Sequence, residues 1–494
     1  METKKTSLTG LQLVISGALL AIANFIVVLD MTVTNVSVPH IAGGLAVSMF
    51  EGTYVITSYA VAEAVIVPLT GWLALRFGTV RVFTWGIILF AVFSALCGLS
   101  RTLGFLVLSR ILQGLAGGPL MPLSQTLLLS IFPKEKQAAA IGIWGTTTLV
   151  APVLGPIVGG YICDHWSWPF IFYLNIPVAI TCSVVIKKLL TSFETPIQKH
   201  KVDFVGLVLL ILWVGALQLM LDEGKNHDWF ASNYITLLLV IAVVGFIAFM
   251  IWELTEKQPI VDLRVFRHRG YYISVITISL TFGGFLSSVV LAPLWLQSTM
   301  EYTASWSGLA AAMIGILAVF AAPIVAKLSM KVDPRMLAYF GITWMGTLIF
   351  FRSFCTTDMT YAQIAIPILV QGLSMPFFFL PLTGLALSSV NPPEIASAAG
   401  LMTFCRTLAG AFAVSIATTS WENQAKIYRA ELVDVINLKN NIPLPILDRL
   451  VEIQSFTLAT NHLFLIISML IITASFIVWL APRPKKAMDV SGAH

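Results

Sequence analysis

The chain has 494 residues, of which 57% are hydrophobic and only 11% charged, with 29 Lys and Arg against 24 Asp and Glu. Soluble chains carry about 25% charged residues, so this composition excludes a soluble enzyme. The basic excess lies in short stretches between apolar runs, which reads as a membrane-topology signal and not as a nucleic-acid surface.

A membrane span needs about 20 mostly apolar residues. In chain order, spans are expected near 11–35, 52–74, 81–99, 104–131, 138–161 and 169–189, then 204–221 and 233–252. Six more follow near 271–297, 305–327, 336–354, 361–389, 396–421 and 459–481, fourteen in all. Met1 to Lys5 precede the first run without a small-residue cleavage site, so that span is expected to be retained. The stretches on the N-terminal side hold 20 Lys and Arg, including Arg76, Arg81, Lys134 and Lys187, against 7 on the other side. This bias places both termini in the cytoplasm. Cys97, Cys163, Cys182, Cys355 and Cys405 are scattered, with no Cys-x-x-Cys pair or histidine spacing, so no metal or disulfide site is expected.

The fourth and twelfth expected spans repeat each other. Gln113-Gly114-Leu115 with Pro119 and Pro122-Leu123 matches Gln371-Gly372-Leu373 with Pro376 and Pro381-Leu382, at an offset of 258–259 residues. The expected architecture is therefore an all-α membrane protein of two six-helix bundles related by pseudo-symmetry. The first bundle covers 1–190, an inserted helix pair 191–260, and the second bundle 261–494 with an external loop at 422–458. Parallel half-repeats around a central site are a transporter architecture that works by rocking one half against the other.

Into this apolar background a few charges intrude, Asp30, Glu63, Arg110 and Arg406. A charge at membrane depth costs about 2.5–3.5 kcal/mol on insertion scales, so it faces a partner or a water-filled path. At the repeat offset Asp30 meets Ser288, Arg110 meets Ile368 and Arg406 meets Thr148, so the charges break the symmetry and point to coupling or substrate roles. Asp30, near the outer end of its run, and Arg110 are placed to pair in the outer third of the membrane. Two readings of that pair stand: a carboxylate that holds and releases a proton, and a permanent salt bridge. Glu63 reads as a proton carrier, a ligand for cationic drugs or a structural acid. Asn24, Asn35, Gln113, Gln125, Gln297 and Gln371, with Trp144, Trp295, Phe377 and Phe378, are candidates to line a substrate cavity. Asp222 at the outer end of the seventh span reads as a solvated loop position. Phosphate-loop, zinc-protease and serine-hydrolase motifs are lacking, which argues against direct ATP drive and against an enzyme.

Several strings together resemble the fourteen-span drug:proton antiporter group of the major facilitator superfamily, and within it the EmrB-type multidrug exporters. They are Leu29-Asp30-Met31-Thr32 through Val36 with Pro39, Arg110-Ile-Leu-Gln113-Gly114, and Gly145 through Leu154-Gly155-Pro156-Ile157-Val158-Gly159-Gly160. Trp168 to Phe172, Asn175-Ile176-Pro177 and Leu221-Asp222-Glu223-Gly224 add to the resemblance. It implies proton-coupled export of small hydrophobic drugs across the inner membrane, with no cofactor. It also implies an EmrA-type periplasmic adaptor and a TolC-type outer-membrane channel, for which the 422–458 loop is a docking candidate. Gly71, Arg76, Gly78 and Arg81 match the gating turn after the second span, and Gly155, Pro156, Gly159 and Gly160 the antiporter motif of the fifth. Leu75 stands where the superfamily usually has Asp, which departs from the usual gating salt bridge. In this fold the second and thirteenth spans meet between the halves, so Glu63 and Arg406 are expected to touch there. The same scaffold also serves proton-coupled transport of a single metabolite or siderophore, which is the alternative.

Overall fold

In lipid a backbone has no water to bond, so its N–H and C=O groups must be satisfied within the segment, and apolar runs become helices. The structure, a computed structural model, describes residues 10–197, 202–329, 331–435 and 444–483, and its regular secondary structure there is entirely helical. The first half contains α1 (Leu11–Leu45), α2 (Met49–Ile66), α3 (Thr70–Phe77), α4 (Thr79–Gly98), α5 (Leu103–Gly117) and α6 (Leu120–Ile131). It is completed by α7 (Lys134–His165), α8 (Phe170–Tyr173) and α9 (Asn175–Leu190). Next come α10 (Phe204–Glu223) and α11 (Asn233–Thr255). The second half contains α12 (Arg269–Ser298), α13 (Ala304–Leu328), α14 (Pro334–Arg352), α15 (Tyr361–Gln371), α16 (Ser374–Ser388), α17 (Ile395–Val435) and α18 (Leu444–Ile477).

Prolines and glycines explain the short pieces. Pro68 sits in the single 3-10 turn, Val67–Leu69, that joins α2 to α3 into one continuous stretch, and Pro119 separates α5 from α6. Among the described residues, twelve helical stretches, with pieces such as α5 and α6 or α15 and α16 taken together, are long and apolar enough to cross a membrane, and thirteen if the two parts of α7, bent by 43° between Ala140–Pro152 and Ile157–His165, count as one span. The remaining expected span corresponds to α14, whose Arg335 and Arg352 lower its mean hydropathy. Large apolar side chains on the outside, such as Trp85, Phe320, Phe351 and Leu470, would be a liability in water and are at home against lipid tails.

Two expectations are corrected here. The first run does not stop near residue 35: α1 continues through Pro39 to Leu45, so Asp30 lies at mid-helix instead of near the outer end. The segment 422–458 is no loop where it is described. Its first part prolongs α17 to Val435 and its last part begins α18 at Leu444, with Arg429 Nη2 and Asp448 Oδ1 joining the two extensions at 2.6 Å. Residues 436–443 lie outside the described residues, as do 1–9 with Lys4 and Lys5.

The halves meet at the end of the bundle where Arg76, Arg81, Lys327 and Arg335 cluster. There α3 approaches α17 so closely that a side chain at Gly71 would overlap Ser397. On α17, Gly400 packs against the Val67 carbonyl, and on α7 Gly142 packs against Ala326 of α13. Absent side chains let backbones come together where no hydrophobic force between helices would draw them. The inserted pair packs across this seam: α10 touches both α2 and α17, and Trp213 of α10 meets Phe404 of α17 edge to face at 5.8 Å.

Glycine contacts inside the second half give a direct test. A Cβ at Gly372 would collide with the Ile314 backbone carbonyl of α13, which cannot retreat as a side chain tip would. Gly372→Ala is expected to destabilise the purified protein by about 1–3 kcal/mol. Gly384→Ala, which meets nothing within 4 Å in mid-α16, should leave the thermal unfolding midpoint unchanged or raise it.

Candidate functional site

Asp30 of α1 is the centre of a closed polar network in the first half. Its Oδ2 lies 2.6 Å from Arg110 Nη1, both side chains being about 1% exposed. Its Oδ1 accepts from Asn175 Nδ2 at 2.6 Å and from Gln113 Nε2 at 3.1 Å. Gln113 Oε1 accepts from Arg110 Nη1 at 2.7 Å, and the Ser94 hydroxyl accepts from Asn175 and Gln113. Arg110 also donates from Nε to the Val55 carbonyl and stacks over Tyr59, 4.2 Å from the ring centroid. Arg110 and Gln113 are one helical turn apart on α5, so both reach the same carboxylate. Buried charges tolerate low dielectric only when paired and fully hydrogen-bonded, and this pair is both. The expected Asp30–Arg110 contact is present. Gln113, expected to line a cavity, serves this network. Asn175 and Ser94 were not singled out as site residues. Asn175 stood in one of the family-like strings, while Ser94 carried no sequence signal.

Glu63 and Arg406 are arranged differently. Glu63 of α2 is half-buried and lines a small cavity with Gln218 of α10 and Phe404, Thr407 and Leu408 of α17. Arg406 of α17 is 4% exposed and lies between the Phe282 and Phe379 rings, at 5.1 and 5.0 Å. Its Nη2 contacts Met121 Sδ of α6 at 3.2 Å, while Nε and Nη1 make no hydrogen bond among the described residues. The expected Glu63–Arg406 contact is therefore not formed here, because the guanidinium turns to Met121 and the two rings. The acid and the cation face the same seam from opposite halves without closing on each other.

Other unpartnered polar groups lie in the helices that form this seam. Gln125 of α6 is fully buried, and neither its amide nitrogen nor its oxygen finds a partner; Thr403 and Thr281 have unpartnered hydroxyls. Trp144 of α7 stacks on Phe379 of α16 across the two halves, 6.3 Å between centroids, and donates to Ser124 at 2.8 Å. Trp144 thus sits between the two halves. Phe377, two residues from Phe379 and on another helix face, packs on Phe340 of α14 within its own half. Asn35 and Gln297 are exposed on α1 and α12.

The second half carries a counterpart of the Asp30 network without the acid. Gln371 is fully buried, donates to Ser288 at 3.4 Å and accepts from Arg352 Nη1 at 3.0 Å. Ser288 stands at the repeat position of Asp30 and Arg352 at that of Ser94. Arg352, at the end of an apolar run, is 6% exposed and stacked on Phe464 at 4.4 Å.

The tight turn expected between α3 and α4 is present. Gly78 has φ of 91°, a left-handed conformation that L side chains rarely adopt. The acid missing at Leu75 is replaced from elsewhere: Glu194 accepts from the Val80 and Arg81 amides at 2.9 and 3.0 Å, and its Oε2 lies 3.8 Å from Arg81 Nε. A carboxylate there caps the positive end of α4. Arg76 packs over Trp72 at 5.4 Å. On α7, a side chain at Gly155 would overlap Thr32 of α1, and one at Gly159 would touch Val33, whereas Gly160 has nothing within 4 Å. The side chain of Pro156 lies outside the described residues.

Removing the acid from a buried pair strands the cation. Asp30→Asn is expected to destabilise the protein by about 3–5 kcal/mol and Asn175→Ala by about 1–3 kcal/mol, read as thermal unfolding of purified protein. Glu63→Gln, which breaks no hydrogen bond of the structure, should leave the midpoint near that of the parent.

Comparison with known proteins agrees with this geometry. The profile described as Major Facilitator Superfamily matches residues 20–414. The multidrug export protein EmrB of Escherichia coli K12 is 42% identical over 431 residues, covering 87% of this chain and 84% of that one. The fatty acid resistance protein FarB of Neisseria gonorrhoeae is 40% identical, covering 94% and 95%. Among solved structures, the proton:xylose symporter XylE superposes with a TM-score of 0.62 at 12% identity, covering 95% of this chain and 96% of that one. A multi-pass helical protein with duplicated Gln-Gly-Leu spans and 40% or more identity to such transporters is placed by these observations: the chain belongs to the Major Facilitator Superfamily, in the group of the EmrB multidrug export proteins.

Proposed function

We propose that the chain is a proton-coupled multidrug efflux antiporter, exporting hydrophobic or amphipathic compounds from the cytoplasm or inner leaflet by alternating access. The observation that carries this reading is the set of buried polar atoms without partners among the described residues, on helices that meet between the halves: the Gln125 amide and the Nε and Nη1 of Arg406. Leaving such groups unmet costs about 1–3 kcal/mol each, more for a charge, so a seam that retains them is suited to a guest that supplies partners. Phe282, Phe379, Trp144 and Met121 surround them with an adaptable apolar wall. An apolar body with an acidic or hydrogen-bond-accepting group suits that wall and Arg406, and a fatty acid, the compound in the name of one relative, has this build.

Glu63 is the group suited to carry the proton. It faces the seam, holds no salt bridge, and lies within the electrostatic reach of Arg406 and Arg110. Proton and cargo then compete for the seam: the protonated Glu63 carboxyl gives up its proton as cargo enters, and the carboxylate takes one up again as cargo leaves. Asp30 with Arg110, sealed by Gln113 and Asn175, positions α1 against α5 and changes only when that network opens. Under the positive-inside rule, the basic end is cytoplasmic, both termini lie on that side of the inner membrane, and the tight contacts at Gly71, Gly142 and Gly400 close the cytoplasmic face. The helical extensions of 422–458 then project into the periplasm, where they are the surface available to an EmrA-type adaptor leading to a TolC-type channel.

The test is drug-induced proton release from proteoliposomes loaded with a pH dye. Wild-type protein is expected to release protons when drug is added, Glu63→Gln to lose at least tenfold of the rate, and Asp30→Asn to be impaired together with its stability. Normal release from both variants would overturn the coupling assignment. A wild-type protein that takes up one metabolite and ignores drugs would favour the single-substrate alternative.

A further inference from the structure

The inserted helix pair has no counterpart in either repeat half, yet α10 is packed on α2 beside Glu63 and on α17 beside Thr407. Gln218 of α10, 7% exposed, lines the same cavity as Glu63 and Thr407. One turn further out, Gln218 Nε2 donates to Asp222 Oδ1 at 3.3 Å. Asp222 in turn bonds the Thr57 side chain of α2, and it is itself exposed at the outer end of α10. Thr57 and Glu63 are six residues apart on one continuous helix, about 9 Å along its axis. Asp222, Thr57, Gln218 and Glu63 thus set polar groups from the outer surface to the seam. The cavity at Glu63 has room for about one water molecule, bounded by groups able to bond it.

We propose that α10 supplies the outer proton path of the transporter: Asp222, Thr57 and Gln218 hold water in line between the outer surface and Glu63. The inference rests on the antiporter reading above and adds to it the route and the residues. In the step itself, the Asp222 carboxyl gives its proton to the line of water along Thr57 and Gln218 as the water in the Glu63 cavity gives one to the Glu63 carboxylate. One O–H bond breaks and one forms, with no other reactant. Asp222 then takes its next proton from the external solution. Other charged or titratable groups meet this path at both ends. Glu223 on the same helix is paired with His227 at 3.4 Å, and Tyr54, Glu51 and Tyr234 lie around it on α2 and α11. Lys225 is held by Glu422 of α17 at 2.7 Å, so the cation nearest in sequence is already engaged. At the inner end Arg406, Arg110 and Asp30 face Glu63.

The experiment separates proton-driven exchange from exchange that needs no proton. Wild type, Asp222→Asn, Gln218→Leu and Asp222→Glu are reconstituted in proteoliposomes, and drug transport is measured once under an imposed pH gradient and once as drug-for-drug exchange without a gradient. Asp222→Asn and Gln218→Leu should slow the proton-driven rate at least tenfold and leave drug-for-drug exchange within twofold of wild type. Asp222→Glu should restore the proton-driven rate. Retained drug-for-drug exchange also reports that the variants are folded. Equal proton-driven rates in wild type and both disabling variants would overturn the path and leave the antiporter reading standing. Parallel loss of both rates, not restored by Asp222→Glu, would assign these residues to packing and overturn the path as well. A wild type indifferent to the gradient would overturn the antiporter reading, and the path with it.

Discussion

A charge inside a bilayer has to be answered by another group, and the structure is organised around how Asp30, Arg110, Glu63 and Arg406 meet that demand. Asp30 and Arg110 answer each other completely: every oxygen of the carboxylate is engaged, and α1, α2, α4, α5 and α9 each contribute a residue or backbone group to the network. The first half is thereby tied into one rigid unit. Glu63 and Arg406 are left without a mutual bond at the seam between units. The difference between a satisfied pair and an unsatisfied one separates scaffold from moving parts, because only unmet groups gain from a visitor or from rearrangement.

The two halves show how duplication and charge interact. Their shared element is the glutamine on the fourth and twelfth spans, which bonds a partner on the first or ninth span in both copies: Asp30 in one, Ser288 in the other. The second copy retains the amide ladder and gains a cation from a different helix, Arg352, stacked on Phe464. Symmetric geometry with asymmetric charge allows the halves to pack alike while responding differently to a proton.

Much of this was legible in the sequence, for physical reasons. Helix positions follow from apolar run length, and the Asp30–Arg110 pair follows from the cost of burying either residue alone. The Gln113–Gln371 correspondence is visible because both sit in a proline-marked repeat. What escaped was what depends on three-dimensional phase. Phe377 and Phe379 are equally aromatic in sequence, but only the helix rotation shows that Phe379 faces Trp144 and Arg406. Arg352 ends an apolar run, where exposure is the natural expectation, and its burial follows from Gln371 on a neighbouring helix. Ser94 and Asn175 are short polar residues whose importance comes from the carboxylate they meet. Glu194 takes over from the acid absent at Leu75 although more than a hundred positions separate them. The apolar run marks a first span near 11–35, whereas α1 continues through Pro39 to Leu45.

The unbroken course of α17 has a mechanical consequence. Its 41 residues extend about 61 Å, roughly twice the thickness of a hydrocarbon core of about 30 Å. It begins beside the glycine contacts at one end of the seam and finishes clipped to α18 through Arg429 and Asp448. Such a rod acts as a lever: each degree of tilt about its inner end carries its tip sideways by about 1 Å. Ångström-scale repacking around Arg406 is thereby amplified into a displacement large enough for a neighbouring molecule beyond the lipid to sense.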